Sequence, residues 1–184
     1  MNIAIFGSAF NPPSLGHKSV IERLAHYDQI LLVPSIAHAW GKEMIDFSTR
    51  CEMVEKFIED LKENGVLKQV QLCKIEEELF SKTTKSKDEN SSSITTFAVL
   101  SELQSLYPNS QLTFVLGPDN FLNFGKFYKA DEITQRWSIL ACPESLPVRS
   151  TQIRQRLAES ESLELLDLTT PSVETFIKKN KLYQ

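Results

Sequence analysis

Cysteine, positive charge and long apolar runs are all in short supply in this chain. Its three cysteines, Cys51, Cys73 and Cys142, lie far apart. They offer neither zinc-ligand spacing nor a Cys-x-x-Cys redox pair. Buried apolar thiols in a reducing compartment are the expectation, and the chain is read as cytoplasmic. Lysine and arginine total 20 against 24 aspartate and glutamate, a formal net charge of −4. A broad basic face for nucleic acid is thereby excluded, and an anionic ligand would be met by a local cluster of cations and backbone amides. No apolar run approaches the roughly 18 residues that would span a bilayer. The apolar start lacks the basic flank and cleavage site of a signal peptide, so no membrane partner is expected. No internal repeat is visible.

What is present is ordinary globular composition, 41% hydrophobic and 24% charged over 184 residues. That length predicts one domain, 1–184, with a small helical part from about residue 150. Short apolar runs alternate with helical patterns, the signature of βαβ units. Strands are predicted at Asn2–Phe6, Gln29–Val33, Gln69–Lys74, Gln111–Leu116 and Ser138–Cys142, with helices at His17–His26, Thr49–Asn64, Thr95–Leu106, Thr151–Glu159 and Pro171–Lys179. The fold class that follows is α/β: a Rossmann-like, doubly wound parallel sheet of about five strands with flanking helices. Thr49 and Glu52 suggest a capping box, Asn64-Gly65 a helix stop, and Thr170 with Pro171 a helix start. The polar stretch Ser81–Ser93 reads as a surface loop or as a lid over a phosphate-bearing substrate.

The most informative segment is Gly7-Ser8-Ala9-Phe10-Asn11-Pro12-Pro13-Ser14-Leu15-Gly16-His17. It follows the apolar run Ile3-Ala4-Ile5-Phe6 and precedes an amphipathic stretch, so a turn leads from a strand into a helix N-terminus. Free amides and the positive end of the helix dipole there favour phosphate. The spacing is neither Gly-x-Gly-x-x-Gly nor a Walker A loop. Gly16 would let the backbone approach a phosphate closely, and the His17 imidazole could donate to a phosphoryl oxygen.

Four further stretches carry candidate chemistry. Leu116-Gly117-Pro118-Asp119-Asn120 ends the fourth strand, which with the first flanks the expected switch point. Arg149-Ser150-Thr151-Gln152-Ile153-Arg154 opens a helix with Ser150 as a natural N-cap, and its hydroxyls, amides and guanidiniums could converge on a polyphosphate. His38-Ala39-Trp40-Gly41-Lys42, with Arg50 beyond it, supplies an aromatic and cations after the second strand. Lys126-Phe127-Tyr128-Lys129 could present a stacking face to a flat base.

The run Gly7–His17 resembles the phosphate-binding signature of the nucleotidylyltransferase superfamily, Gly-Gly-(Ser/Thr)-Phe-(Asp/Asn)-Pro followed by (His/Thr)-x-Gly-His. Val148–Arg154 is similar to (Ile/Val)-x-Ser-Thr-x-Ile-Arg. Gly117-Pro118-Asp119-Asn120, Phe127-Tyr128 and the ending Phe176–Tyr183 resemble further parts of one branch, the nicotinate or nicotinamide mononucleotide adenylyltransferases. The likeness runs over nearly the whole chain. Ser14 stands where that family has His or Thr, and Arg149 where many members have Ser. Phe127-Tyr128 stands where nicotinate-specific bacterial members usually carry a Trp, which leaves the acid-or-amide choice open.

The resemblance implies transfer of AMP from ATP to a pyridine mononucleotide, with pyrophosphate leaving and Mg²⁺ travelling with ATP as co-substrate. His17 and Arg154 would be catalytic. The resemblance implies an ATP site of Gly7, Ser8, Phe10, Ser14, Gly16, His17, Gly117, Asp119, Arg149, Ser150, Thr151 and Arg154. The mononucleotide would meet Trp40, Lys42, Arg50, Thr95 and Phe127. Partners would be ATP and the mononucleotide, without nucleic acid or membrane; a homo-oligomer stays open. The alternatives are another small-molecule transferase, such as a phosphopantetheine adenylyltransferase, or a nucleotide-binding module with weak catalysis. The cytidylyltransferase signature Arg-Thr-x-Gly-Ile-Ser-Thr is absent from the sequence.

Overall fold

The computed structural model describes residues 1–37, 44–63, 65, 69–84, 94–143, 145–160 and 164–183. Its centre is a five-stranded parallel sheet in the order β3-β2-β1-β4-β5. The strands are β1 (Asn2–Ser8), β2 (Gln29–Pro34), β3 (Val70–Leu72), β4 (Gln111–Leu116) and β5 (Ser138–Ala141). Strands buried on both faces read as near-continuous apolar runs, as Ile3–Phe6 and Ile30–Val33 do. Alternate residues go to opposite sides. Ala4, Phe6, Ile30, Leu32, Val70 and Val115 join one core, and Ile3, Ile5, Leu31, Val33, Leu112 and Phe114 the other.

The helices divide between these two cores. On the first lie α1 (Leu15–Glu22), α2 (Phe47–Glu63), α7 (Ser150–Glu159) and α8 (Pro171–Lys179), through residues such as Val20, Phe57, Ile153 and Ile177. On the second lie α3 (Ile75–Thr84), α4 (Thr96–Leu106) and α6 (Ala130–Arg136), through Ile75, Leu100 and Ile133. The short α5 (Pro118–Leu122) and a 3-10 turn, Phe124–Lys126, connect β4 to α6. The chain winds outward from β1 to β3, then returns to β4 on the other side of β1. That reversal puts the switch point between β1 and β4, where ligands bind outside the strands' carboxyl ends.

Several local expectations are corrected. Helix α2 begins at Phe47, and it is Asp46, not Thr49, that caps it: Asp46 Oδ1 accepts from the Thr49 amide at 2.8 Å. Asn64 lies outside the described residues, but Gly65 takes the left-handed φ of 72° that stops a helix. Residues 81–84 of the expected loop are the last turn of α3, while 85–93 lie outside the described residues. Thr170 is the N-cap residue of α8 as expected, yet its hydroxyl makes no cap bond. Asp60 does that work, accepting from the Ser172 amide at 2.9 Å and its hydroxyl at 2.6 Å.

After α8 the chain turns on a Schellman motif. The Leu182 amide donates to Ile177 O at 3.1 Å and the Lys181 amide to Lys178 O at 3.3 Å. Lys181 takes the left-handed position usually given to glycine, at φ 50°. The turn returns Leu182 and Tyr183 to the α1/α2/α8 core.

Candidate active site

Helix α1 starts one turn beyond β1, and its first residues organise the crevice at the switch point. Ser14 is the N-cap, extended at φ −133°, with its hydroxyl accepting from the His17 amide. The Ser14 amide donates to His17 Nδ1 at 3.0 Å. An N–H can only donate, so Nδ1 is an acceptor and the neutral ring carries its proton on Nε2. Nε2 lies 2.9 Å from Ser8 Oγ at the end of β1. Burial pushes the imidazole down to about 4, so the ring is neutral near pH 7. Phe10 packs on it, ring centroids 4.8 Å apart, from a backbone held at φ 46°. A non-glycine residue at that φ is strained and persists only where its surroundings over-determine it.

Those surroundings come from distant parts of the chain, and they grip the loop carbonyl by carbonyl. Arg50 Nη1 donates to Ala9 O at 2.7 Å. Arg154 Nη1 donates to Asn11 O at 2.6 Å, and Ser150 Oγ to Pro12 O at 2.6 Å. Thr169 Oγ1 donates to Pro13 O at 2.8 Å, and Ser14 Oγ to Val148 O at 3.0 Å. The approach is closest at Gly16, where a Cβ would stand 2.1 Å from Val148 O. The two stretches that sequence reading singled out, 7–17 and 148–154, are thus one interlocked unit.

A protein-family model described as cytidylyltransferase-like matches residues 5–156. The chain belongs to this family. Within it, the chain resembles a nicotinate-nucleotide adenylyltransferase from Bacillus subtilis, 27% identical over 99% of this chain and 98% of that one. It also matches the crystal structure of a provisionally assigned nicotinate-nucleotide adenylyltransferase from Vibrio parahaemolyticus. That match is 46% identical at a TM-score of 0.83, covering 100% of this chain and 96% of the other. A Plasmodium falciparum nicotinic acid mononucleotide adenylyltransferase complexed with NaAD shares the fold at a TM-score of 0.73. It is 17% identical, over 99% of this chain and 97% of that one.

On this cytidylyltransferase-like frame the other residues expected at ATP and the mononucleotide take the following places. Phe6 pairs with Val115 across β1 and β4, so Gly7 and Gly117 follow closely on the carboxyl side of adjacent strands. Gly117 is the N-cap residue of α5, and Asp119 lies in that helix's first turn. Arg149 is exposed and, instead of Ser150, is the N-cap residue of α7; its amide donates to Gln152 Oε1 at 2.7 Å. The guanidinium of Arg154 also donates to Thr151 Oγ1, at 3.2 Å. Phe127 packs on Phe114 at 6.4 Å between ring centroids, and the Phe114 ring edge is 3.8 Å from where a Gly7 Cβ would stand. Thr95 caps α4, accepting from the Ala98 amide at 3.2 Å. Trp40 and Lys42 lie outside the described residues.

Three residues take different places from those the family resemblance implied. Arg50 was expected at the mononucleotide phosphate. It is 1% exposed, and its guanidinium donates to the carbonyls of Ile45, Ala9 and Ile36. It braces the loops from behind. Ser14 was expected to donate to a phosphate. It is 1% exposed, with its hydroxyl proton on Val148 O, so it orients His17 instead. Gly16 was expected to admit a phosphate; its missing side chain admits the Val148 backbone.

Sequence reading also missed three structural partners. Tyr183 Oη donates to Asn11 Oδ1 at 2.7 Å. Thr169 holds Pro13. Glu76 accepts from the Ile36 amide at 2.8 Å, and burial raises its carboxyl to about 7. Of the three, only Tyr183 carried a signal, its place in the ending Phe176–Tyr183; Asn11, which it holds, lies inside the first signature.

Proposed function

We propose that this protein transfers AMP from ATP to a pyridine mononucleotide, with nicotinate mononucleotide as the preferred acceptor. The supporting observation is the interlock of Gly7–His17 with Val148–Arg154 at the switch point. It puts a neutral imidazole donor and the start of a ten-residue helix with its arginine on the same loop. The 46% identity to the Vibrio parahaemolyticus protein across the whole chain supports the acceptor class.

The mononucleotide's 5′-phosphate attacks the α-phosphorus of ATP in line. A P–O bond forms there, the α–β bridging bond breaks, and pyrophosphate takes the electron pair. The nucleophile is already anionic, so no general base is needed. Catalysis is positioning and charge neutralisation. His17 turns its Nε2–H from Ser8 to a phosphoryl oxygen, where negative charge grows. The first amides of α7, at Ser150 and Thr151, and the Arg154 guanidinium receive the β- and γ-phosphates. Ser150 acts through its amide because its hydroxyl is donated to Pro12. Gly7, Ser8, Phe10 and Gly117 wall the crevice, with Asp119 and Arg149 at its rim. Trp40, Lys42, Thr95 and Phe127 serve the mononucleotide. Mg²⁺ enters as part of the ATP substrate. Among the described residues no group of three or more His, Cys, Asp or Glu could hold a metal, so phosphate oxygens and water would be its ligands. No described helix is long and apolar enough to cross a membrane.

The test is direct: incubate the protein with Mg-ATP and each mononucleotide, and follow pyrophosphate and dinucleotide. Faster turnover of the nicotinate form is expected. No dinucleotide from either acceptor overturns the reading, and turnover of CTP in place of ATP moves the protein to another branch of the family.

A further inference from the structure

The segment after α8 reaches into the active-site loop, and the mechanism above gives it no role. The Schellman turn carries the chain back on itself, and Tyr183 adds a second left-handed residue at φ 65°. Two such non-glycine positions within three residues hold a conformation the backbone does not favour. What they deliver is one side chain. The Tyr183 ring is half-buried against the core, with its hydroxyl 2.7 Å from Asn11 Oδ1. Burial raises the phenol, which therefore stays protonated and a donor. Asn11 is 6% exposed and is held at its backbone too, by Arg154. It follows Phe10, whose strained backbone sets the ring that packs on His17.

We propose that Tyr183 is a positioning residue of the nucleotide loop: its hydroxyl fixes Asn11, and through Phe10 it fixes the ring of His17 toward the reacting phosphate. The link to turnover rests on the adenylyltransferase reading; the link to His17 does not. Arg154 holds the Asn11 carbonyl, as Arg50, Ser150 and Thr169 hold those of Ala9, Pro12 and Pro13, but none of these bonds fixes the Asn11 side chain. The tether from Tyr183 does. A preorganised donor is effective only when its aim is fixed before the charge develops.

Tyr183→Phe in the full chain removes one oxygen and keeps the ring. The expected result is a fall in kcat of about tenfold, with KM for ATP within about twofold. A melting temperature within about 2 °C of the parent is also expected. By NMR, the His17 pKa rises in the variant from about 4 toward the ordinary histidine value as the ring loses its packed surroundings. Asn11→Ala should give the same rise, and the double variant should add little to either single one. A His17 titration unchanged by either substitution overturns the proposal, as does an unchanged kcat in an enzyme that makes dinucleotide. If the parent protein makes no dinucleotide, the function fails but the His17 titration still decides this inference. If Tyr183→Phe does not fold, the Asn11→Ala titration decides it.

Discussion

The Ser14 amide donates to Nδ1 of His17 at 3.0 Å, and this bond decides which nitrogen of the ring is left to act as a donor. With Nδ1 occupied as an acceptor, Nε2 carries the proton and reaches Ser8 at 2.9 Å. A neutral N–H donor is thus held at the carboxyl end of β1 without any need for a charged ring. His17→Ala should lower kcat by about 100-fold or more, as removal of one preorganised donor does. His17→Gln, whose amide nitrogen can stand near the Nε2 position, should recover part of that loss, and His17→Asn should not. Steady-state pyrophosphate release measures all three. Full activity in His17→Ala would remove the ring from the mechanism.

The same ring makes stability depend on pH. Its folded pKa, about 4, lies below the ordinary unfolded value of 6.5. Between those values the unfolded chain binds more protons, so stability falls as pH drops through that window. The His17 contribution is complete above about pH 6.5 and gone below about pH 4. It amounts to as much as about 3 kcal/mol. Urea unfolding of the parent and of His17→Gln at pH 7 and pH 4.5 isolates it. The parent should lose more stability than the variant on acidification, and equal losses would contradict the depressed pKa.

A second structural dependence sits at the neighbouring residue. Helix α1 abuts the 146–148 backbone so closely that an added methyl at Gly16 would stand 2.1 Å from Val148 O. The neighbour is backbone, so nothing flexible can yield. Gly16→Ala should therefore destabilise the fold by about 3 kcal/mol or more and shift His17 with the helix. Ser14→Ala, which loses the cap and the bond to Val148, should cost less, about 1–2 kcal/mol. Thermal melts rank the two. A Gly16→Ala melt close to the parent would mean that the helix and the 146–148 segment slide apart at little cost.

These two residues also show how far the sequence could be read. The first strand, expected at Asn2–Phe6 and found at Asn2–Ser8, and the presence of a helix after it were legible because burial on both faces and helical spacing are local patterns. The helix bounds were not: expected over His17–His26, it runs Leu15–Glu22 with Ser14 as its cap, so His17 lies in its first turn. What Gly16 and Ser14 do was not legible either, because their partner, Val148, is 134 residues from Ser14. The place of Arg50 was hidden for a related reason. A cation beside an aromatic loop looks like a phosphate ligand, and nothing local announces that three carbonyls will take three of its five N–H donors. Helix α3 was hidden by composition: its end, Ser81–Thr84, is as polar as the stretch that follows it.

Glu76 carries the last prediction, and its sign is opposite to that of His17. The carboxyl is 9% exposed, accepts from the Ile36 amide at 2.8 Å, and is raised to about 7 because burial disfavours its charge. The Arg50 guanidinium that donates to the Ile36 carbonyl only partly offsets this. Here the folded protein binds more protons than the unfolded chain between pH 4.5 and 7. Stability from this group is present below about pH 4.5 and is lost as pH rises through 7. Glu76→Gln keeps an oxygen for the Ile36 amide and removes the charge. It should stabilise the protein by about 1–3 kcal/mol at pH 8 and change little at pH 5. Denaturation at the two pH values tests this. A variant less stable than the parent at pH 8 would mean that the ionised Glu76 and Arg50 attract each other by more than burial costs.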